Sequence, residues 1–286
     1  MKNLWILILS ITILSCNKNK KEANQSVEHS TNNKIETIPV EPDGGIGDGA
    51  LSIIDHHLKN IEQAHQKDNF LKHKAVRFSI DILFGGKQHL TGDITMLTNA
   101  TKIRIDKKDG SQLLYTKEKV FLSPKEATDK QSRFDMFTWT YFLGLPYKLN
   151  DPGTQWELEK MRPLRGVEHQ TARLTFDKGI GDSSDDWYVI YSDPKDHLLK
   201  AAAYIVTYGS DGDISKAQED PHAIYYKDFK TIDDIPFATK WEFYTWREDK
   251  GGITDKLGEA SITNITFLDE EGSLFDIPEN AKEIKQ

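Results

Sequence analysis

The chain has 286 residues, of which 45 are Asp or Glu and 37 are Lys or Arg, for a net charge of −8. That balance speaks against nucleic acid, which requires a basic face, and against adhesion of the body to anionic lipid. One cysteine, at position 16, excludes an intrachain disulfide framework and leaves everything after it without thiol catalysis or cysteine-bound metal.

In chain order, the first feature is the apolar run of residues 4–14 behind Lys2. As a helix it would reach about 16 Å, roughly half a bilayer core, which suits a secretory signal better than a span. The run ends on Ile13-Leu14-Ser15-Cys16, which resembles the lipobox of bacterial lipoproteins. The resemblance implies a signal peptide over residues 1–15 and a diacylglycerol on the sulfur of Cys16, with the new N-terminus often acylated too. Two or three acyl chains hold a protein at a membrane where one gives only marginal binding. Lys18, Lys20 and Lys21 follow Cys16. Surface-export signals of Bacteroidota lipoproteins resemble acidic clusters instead, so the expected location is the outer membrane, facing the periplasm. Residues 16–49 read as a lipidated, flexible tether, since they hold no Phe, Trp or Tyr and end in a Pro- and Gly-rich run. A coil of about 33 residues spans roughly 30 Å.

Residues 50–286 read as one β-rich domain. Leu51, Ile54, Leu58 and Ile61 recur at helical spacing, with Asp48 as the expected cap. The period then changes to two. Over Lys74–Phe84, Val76, Phe78, Ile80, Ile82 and Phe84 share one face of a half-buried strand. Strands are expected at Leu90–Leu97, Thr101–Asp106, Ser111–Thr116 and Val120–Ser123, with Asp109-Gly110 turning the chain after the second of these. A helix is predicted from about Gln131 to Leu143, opened by a capping-box-like Ser132 and Asp135 and stopped by Gly144 and Pro146. Strands return at Trp156–Met161, Val167–Phe176, Trp187–Ser192, Leu198–Tyr208, Ile224–Phe229, Thr239–Trp246 and Leu257–Phe267. A sheet of about a dozen strands must curl or close, because twist accumulates.

Catalytic signatures are missing from the sequence. It has no Gly-x-Ser-x-Gly elbow, no His-Glu-x-x-His helix and no phosphate loop. His56 and His57 point about 100° apart on a helix. The remaining histidines are scattered and read as surface or locally bonded groups. Asp182, Asp185 and Asp186, and likewise Asp211 and Asp213, read as solvated turns, since neither run forms a twelve-residue calcium loop. No metal, cofactor or enzymatic activity is expected. The aromatics are more informative. Trp139, Tyr141 and Phe142 sit in the predicted helix, and Trp241 and Phe243 face one way on their strand while Tyr244 and Trp246 face the other. Either both faces of that strand are covered or one is an exposed contact surface.

The order of signal, amphipathic helix, long antiparallel meander and inserted helix resembles the lipoprotein-localisation superfamily of half-open β-barrels with a helical lid. Three phrases resemble a narrower group, domain-of-unknown-function family 6503 of Bacteroidota lipoproteins. They are Ala64-His65 with the strand that follows, Asp186–Pro194, and Tyr226–Phe229 with Ile235–Thr239. The expected fold is therefore mainly β with a few helices, a large curved antiparallel sheet or half-open barrel. The expected function is non-enzymatic binding of a lipid or acyl chain, in a cavity lined by Phe78, Ile80, Ile82, Ile94, Met96, Phe137, Tyr141, Trp241 and Phe243. The alternative is an envelope interaction or scaffold protein whose barrel is filled by its own side chains.

Overall fold

The computed structural model of the chain describes residues 51–128, 130–209, 213–250 and 252–285. The signal, Cys16 and the tether lie outside the described residues. Four α-helices are described, α1 (Ile53–Ala64), α2 (Lys67–Phe70), α3 (Ser132–Gly144) and α4 (Ile214–Glu219). The strands of the first half are β1 (Ala75–Phe84), β2 (Lys87–Leu97), β3 (Ile103–Lys107), β4 (Gln112–Thr116) and β5 (Lys119–Ser123). Those of the second half are β6 (Thr154–Leu158), β7 (Arg162–Leu164), β8 (Val167–Phe176), β9 (Tyr188–Ser192), β10 (Leu199–Tyr204), β11 (His222–Ile232), β12 (Ile235–Arg247), β13 (Gly252–Leu268) and β14 (Lys282–Ile284).

Among the described residues these strands form one antiparallel sheet in the order β14-β5-β4-β3-β2-β1-β13-β12-β11-β10-β9-β8-β6, with β7 paired to β8. The long strand β13 closes the chain back onto β1 and so joins the two meanders. The sheet is open, ending in β14 on one side and β6 on the other. Its fold class is the expected one, a large curved antiparallel sheet with few helices.

Hairpin chemistry fixes much of the register. Gly85-Gly86, Lys117-Glu118, Arg165-Gly166 and Asp233-Asp234 each fill a two-residue turn with both residues at positive φ, the mirror-image turn whose twist matches that of the strands. Around Asp109-Gly110 the loop is longer, and only Gly110 has positive φ. Asp109 instead accepts from the backbone N–H of Ser111 at 2.9 Å. Gly258 is required for a different reason. Any Cβ there would lie 2.3 Å from the carbonyl oxygen of Leu83, so the three-strand contact of β1, β13 and β12 depends on its missing side chain.

The N-terminal caps of both predicted helices differ from expectation, while α3 ends at Gly144 as expected. Ser52, rather than Asp48, caps α1, and a reciprocal box with Asp55 satisfies two free N–H groups of its first turn. Leu58 and Ile61 of α1 are buried while Leu51 is half exposed. α3 starts behind Gln131 in the left-handed region with no side-chain cap, because Asp135 is turned inward to other partners. α2, α4, β7 and β14 are too short to give a periodic signal and have no counterpart among the predicted elements.

The main core lies on the concave side, where the inward rows of β1–β5 and β8–β13 meet α1, α3 and the segment after α3. Two smaller clusters cover parts of the convex side. One joins Leu164 of β7 to Val189, Tyr191, Ala203 and Trp246. The other sets Phe275 against Ala75, Leu97 and Leu114. Both faces of β12 are therefore covered. Trp241 and Phe243 enter the main core, while Trp246 lies in the convex cluster and donates its indole N–H to the Tyr191 hydroxyl at 2.8 Å.

Candidate functional site

α3 crosses the concave face and divides it. On one side its Trp139 and Phe142 stack into the sheet, with Trp139 ring centroids 6.2 Å from Phe84 and 5.8 Å from Phe243, and Phe142 4.9 Å from Tyr204. A buried carboxylate holds the helix there. Asp135 accepts from His89 Nε2 at 3.0 Å, Lys107 Nζ at 2.7 Å and the Trp139 indole N–H at 3.0 Å. Burial pushes its carboxyl up, but the bonds from His89, Lys107 and Trp139 outweigh burial and hold it below the ordinary carboxylate value.

On the other side of α3 the interior is not filled. A cavity of about 830 Å³ runs beside Phe137 and Tyr141, from Ile103 and Tyr115 of β3 and β4 to Phe176, Tyr188 and Tyr204 of β8, β9 and β10. Its rings form a contiguous wall, with Tyr115 at 5.2 Å from Phe137, Tyr141 at 5.2 Å from Tyr188, and Phe176 at 6.2 Å from Tyr188. Burial raises Tyr141, Tyr188 and Tyr204 well above the ordinary phenol value, so all three hydroxyls stay neutral. Most charges at the cavity are paired. Arg133 of α3 binds Asp182, and Lys148 lies 2.6 Å from Asp151. Asp186 accepts from the backbone N–H and hydroxyl of Thr207 at 2.8 and 2.7 Å. Burial and the neighbouring Asp185 raise its carboxyl, against the two Thr207 bonds, to about 6.

The structure separates the residues expected to line a cavity. Phe137 and Tyr141 line the large one. Trp241 borders a far smaller void of about 20 Å³, together with His65, Tyr147 and Phe237. Phe78, Ile80, Ile82, Ile94, Met96 and Phe243 border neither, being packed at 1% exposure or less among themselves, α1 and α3. Sequence reasoning missed Phe176, Tyr188, Tyr204 and Asp186. Phe176, Tyr188 and Tyr204 fall within expected strands, but only the placement of α3 decides which inward positions are left uncovered. Two of the three acids read as a solvated turn, Asp182 and Asp186, belong to the cavity instead.

The small void sits where residues of the quoted phrases converge, with His65 from the first and Tyr226, Phe229, Pro236, Phe237 and Ala238 from the third. His65 Nε2 accepts from the backbone N–H of Leu199 at 2.9 Å, which places the ring proton on Nδ1. Burial, with a smaller effect from Lys200, pushes this imidazole down to about 3. A second histidine, His57, comes within 3.4 Å of Ser192 Oγ, but among the described residues no carboxylate orients it. The described residues include no group of three or more His, Cys, Asp or Glu able to hold a metal ion.

A family described as "Family of unknown function (DUF6503)" matches residues 103–260. The chain belongs to that family. The DUF6503 match runs from β3 into β13, and takes in α3 and all of the cavity lining except Ala100. Among solved structures, this DUF6503 chain is similar to a DUF1329 family protein from Desulfovibrio piger, at 13% identity and a TM-score of 0.48, over 76% of this chain and 96% of that one. It is also similar to a LolA superfamily protein from Nitrosomonas europaea, at 9% identity and a TM-score of 0.48, over 76% and 97% of the two chains. No curated protein matches the sequence.

Proposed function

We propose that the DUF6503 body binds an apolar ligand, a lipid or acyl chain, in the cavity beside α3, without catalysing a reaction. In this proposal residues 1–15 are a signal peptide, the lipidated Cys16 and the tether of residues 16–49 hold the body at the outer membrane, and residues 50–286 face the periplasm as one domain. The observation that carries the reading is the cavity itself, about 830 Å³ of aromatic-walled space in a core that is elsewhere packed. That size falls within the range of small-molecule sites, which are mostly apolar with a few placed polar groups. An acyl chain gains about 0.8 kcal/mol for each methylene buried against Phe137, Tyr141, Phe176 and Tyr188. The scaffold reading draws on the other side of α3, where Phe78, Ile80, Ile82, Ile94, Met96 and Phe243 fill the concavity themselves.

One experiment addresses anchor and ligand together. The chain is recovered from the membranes of its own cells, and mass spectrometry reads both its N-terminal peptide and any retained lipid. The expected result is an acylated Cys16 and a co-purifying acyl lipid that drops about tenfold in Thr138→Trp, which places an indole in the cavity. An unmodified Cys16 would refute the anchor. Absence of any retained lipid, or retention that Thr138→Trp does not change, would favour the scaffold.

A further inference from the structure

The polar lining of the cavity contains more acid than base. Its charged members are Arg133 and Lys148 against Glu118, Asp151, Asp182 and Asp186. Both cations are already engaged, Arg133 with Asp182 and with the carbonyl of Ile284, and Lys148 with Asp151. Glu118 stands exposed at a hairpin tip. Asp186 is different, since it is largely enclosed and its two bonds from Thr207 both fall on Oδ1. Among the described residues Oδ2 has no hydrogen-bond partner. Tyr188 and Tyr204 also line the cavity, are 9% and 6% exposed, and have hydroxyls with no hydrogen-bond partner among the described residues. The cavity thus joins an apolar wall to one acceptor-only carboxylate and two unused phenols.

We propose that this cavity selects amphiphiles whose head group donates hydrogen bonds and carries no negative charge, such as a glyceride or an amine, and that Asp186 is the residue that rejects anionic heads. The proposal rests on the binding reading above and names the ligand class for the same site. A hydroxyl or ammonium head reaching Asp186 supplies the donor that Oδ2 lacks, and the phenols of Tyr188 and Tyr204 accept or donate as the head requires. A sulfate or carboxylate head would meet Asp186 in a half-open cavity whose described lining offers no unpaired cation, so like charges would repel there. The other groups facing Asp186 do not reverse this. Asp185 adds negative charge, Tyr141 and Tyr188 are neutral, and Asp151 and Asp182 are balanced by their own partners.

The test uses the full chain made by cell-free synthesis, where Cys16 receives no lipid, with the neutral dye Nile red as reporter. Three probes with the same lauryl chain compete for the dye, namely monolauroylglycerol, dodecylammonium and dodecyl sulfate, whose charge is fixed. At about pH 8 the first two are expected to displace Nile red at concentrations about tenfold or more below the third. Asp186→Asn keeps the oxygen that binds Thr207 and removes the charge, and should reduce that gap to less than about threefold. Lowering the pH below about 6 should close the gap in the unaltered chain as well, in keeping with the raised carboxyl of Asp186. Equal displacement by all three probes, or a gap that Asp186→Asn leaves intact, would overturn the head-group proposal alone. If Nile red fails to bind, the binding reading fails and this proposal falls with it.

Discussion

Replacing Asp135 by Ala is expected to cost about 3–5 kcal/mol of folding stability, measured as a lowered urea midpoint at neutral pH. The size follows from what the substitution leaves behind. Lys107 and His89 lose their shared carboxylate, and the Trp139 indole loses its acceptor, all in a site where Asp135 is only 4% exposed. An unpaired buried charge costs more than the intact pair contributes, so the loss reflects mainly the stranded Lys107. Asp135→Leu combined with Lys107→Met should therefore recover part of the stability that either change alone removes. The pH sense is also defined. The carboxyl is held below its unfolded value, so its contribution is fully present above the unfolded pKa near 4 and fades as pH falls through the lower folded value. A loss below about 1 kcal/mol for Asp135→Ala would mean that α3 is not held by this network.

The second large effect is acid sensitivity from His65. Its folded pKa of about 3 lies below the unfolded value near 6.5, so the unfolded chain binds the proton first. Its contribution is whole above about pH 6.5 and declines by about 1.4 kcal/mol per pH unit below that, down toward pH 3. By pH 4.5 the loss is about 3 kcal/mol. Asp186 works in the opposite direction. Its folded value of about 6 lies above the unfolded one, so protonation between pH 6 and 4 favours the folded chain and offsets part of the His65 effect. The informative quantity is therefore the difference between the parent and His65→Gln, which keeps an oxygen to accept from Leu199 and does not titrate. Urea midpoints from about pH 7.5 to 4.5 should show the variant gaining on the parent as acid is added. Parallel curves would show that His65 is not held neutral in the fold.

Much of this fold could be read from residue order. The alternation of Val76, Phe78, Ile80 and Ile82 gave β1 and its inward face, and the double-sided aromatics of β12 leave two covered faces or one exposed contact surface open, between which Trp246 and Tyr191 on the convex side decide for the first. The tip of the β11–β12 hairpin was harder to see. Expected strands stop at Phe229 and resume at Thr239, whereas the ladder continues to Ile232 and Ile235. Asp233-Asp234 forms the turn with no glycine to announce it, and Pro236 within β12 has the look of a breaker. The inward half of the site was harder still. Phe78 and Tyr188 both sit on inward rows of their strands, but one is covered by helices and the other borders open space. That distinction depends on where α3 lies, and α3 is placed by Asp135 reaching His89 and Lys107 on β2 and β3, contacts between residues 46 and 28 positions apart. A local pattern contains no such information. The same inward turn of Asp135 is why the Ser132 and Asp135 spacing, which has the look of a helix cap, does not form one.

The central claim is that the space beside α3 is a seat for an apolar guest. Soaking crystals of the chain with a bromine-tipped dodecanol and recording anomalous diffraction at the bromine edge locates the guest directly. The expected result is a bromine peak within van der Waals reach of Phe137, Tyr141, Phe176 and Tyr188, absent in Thr138→Trp. A saturating soak with no peak there, or with bromine only on the outer surface of the sheet, would contradict the account.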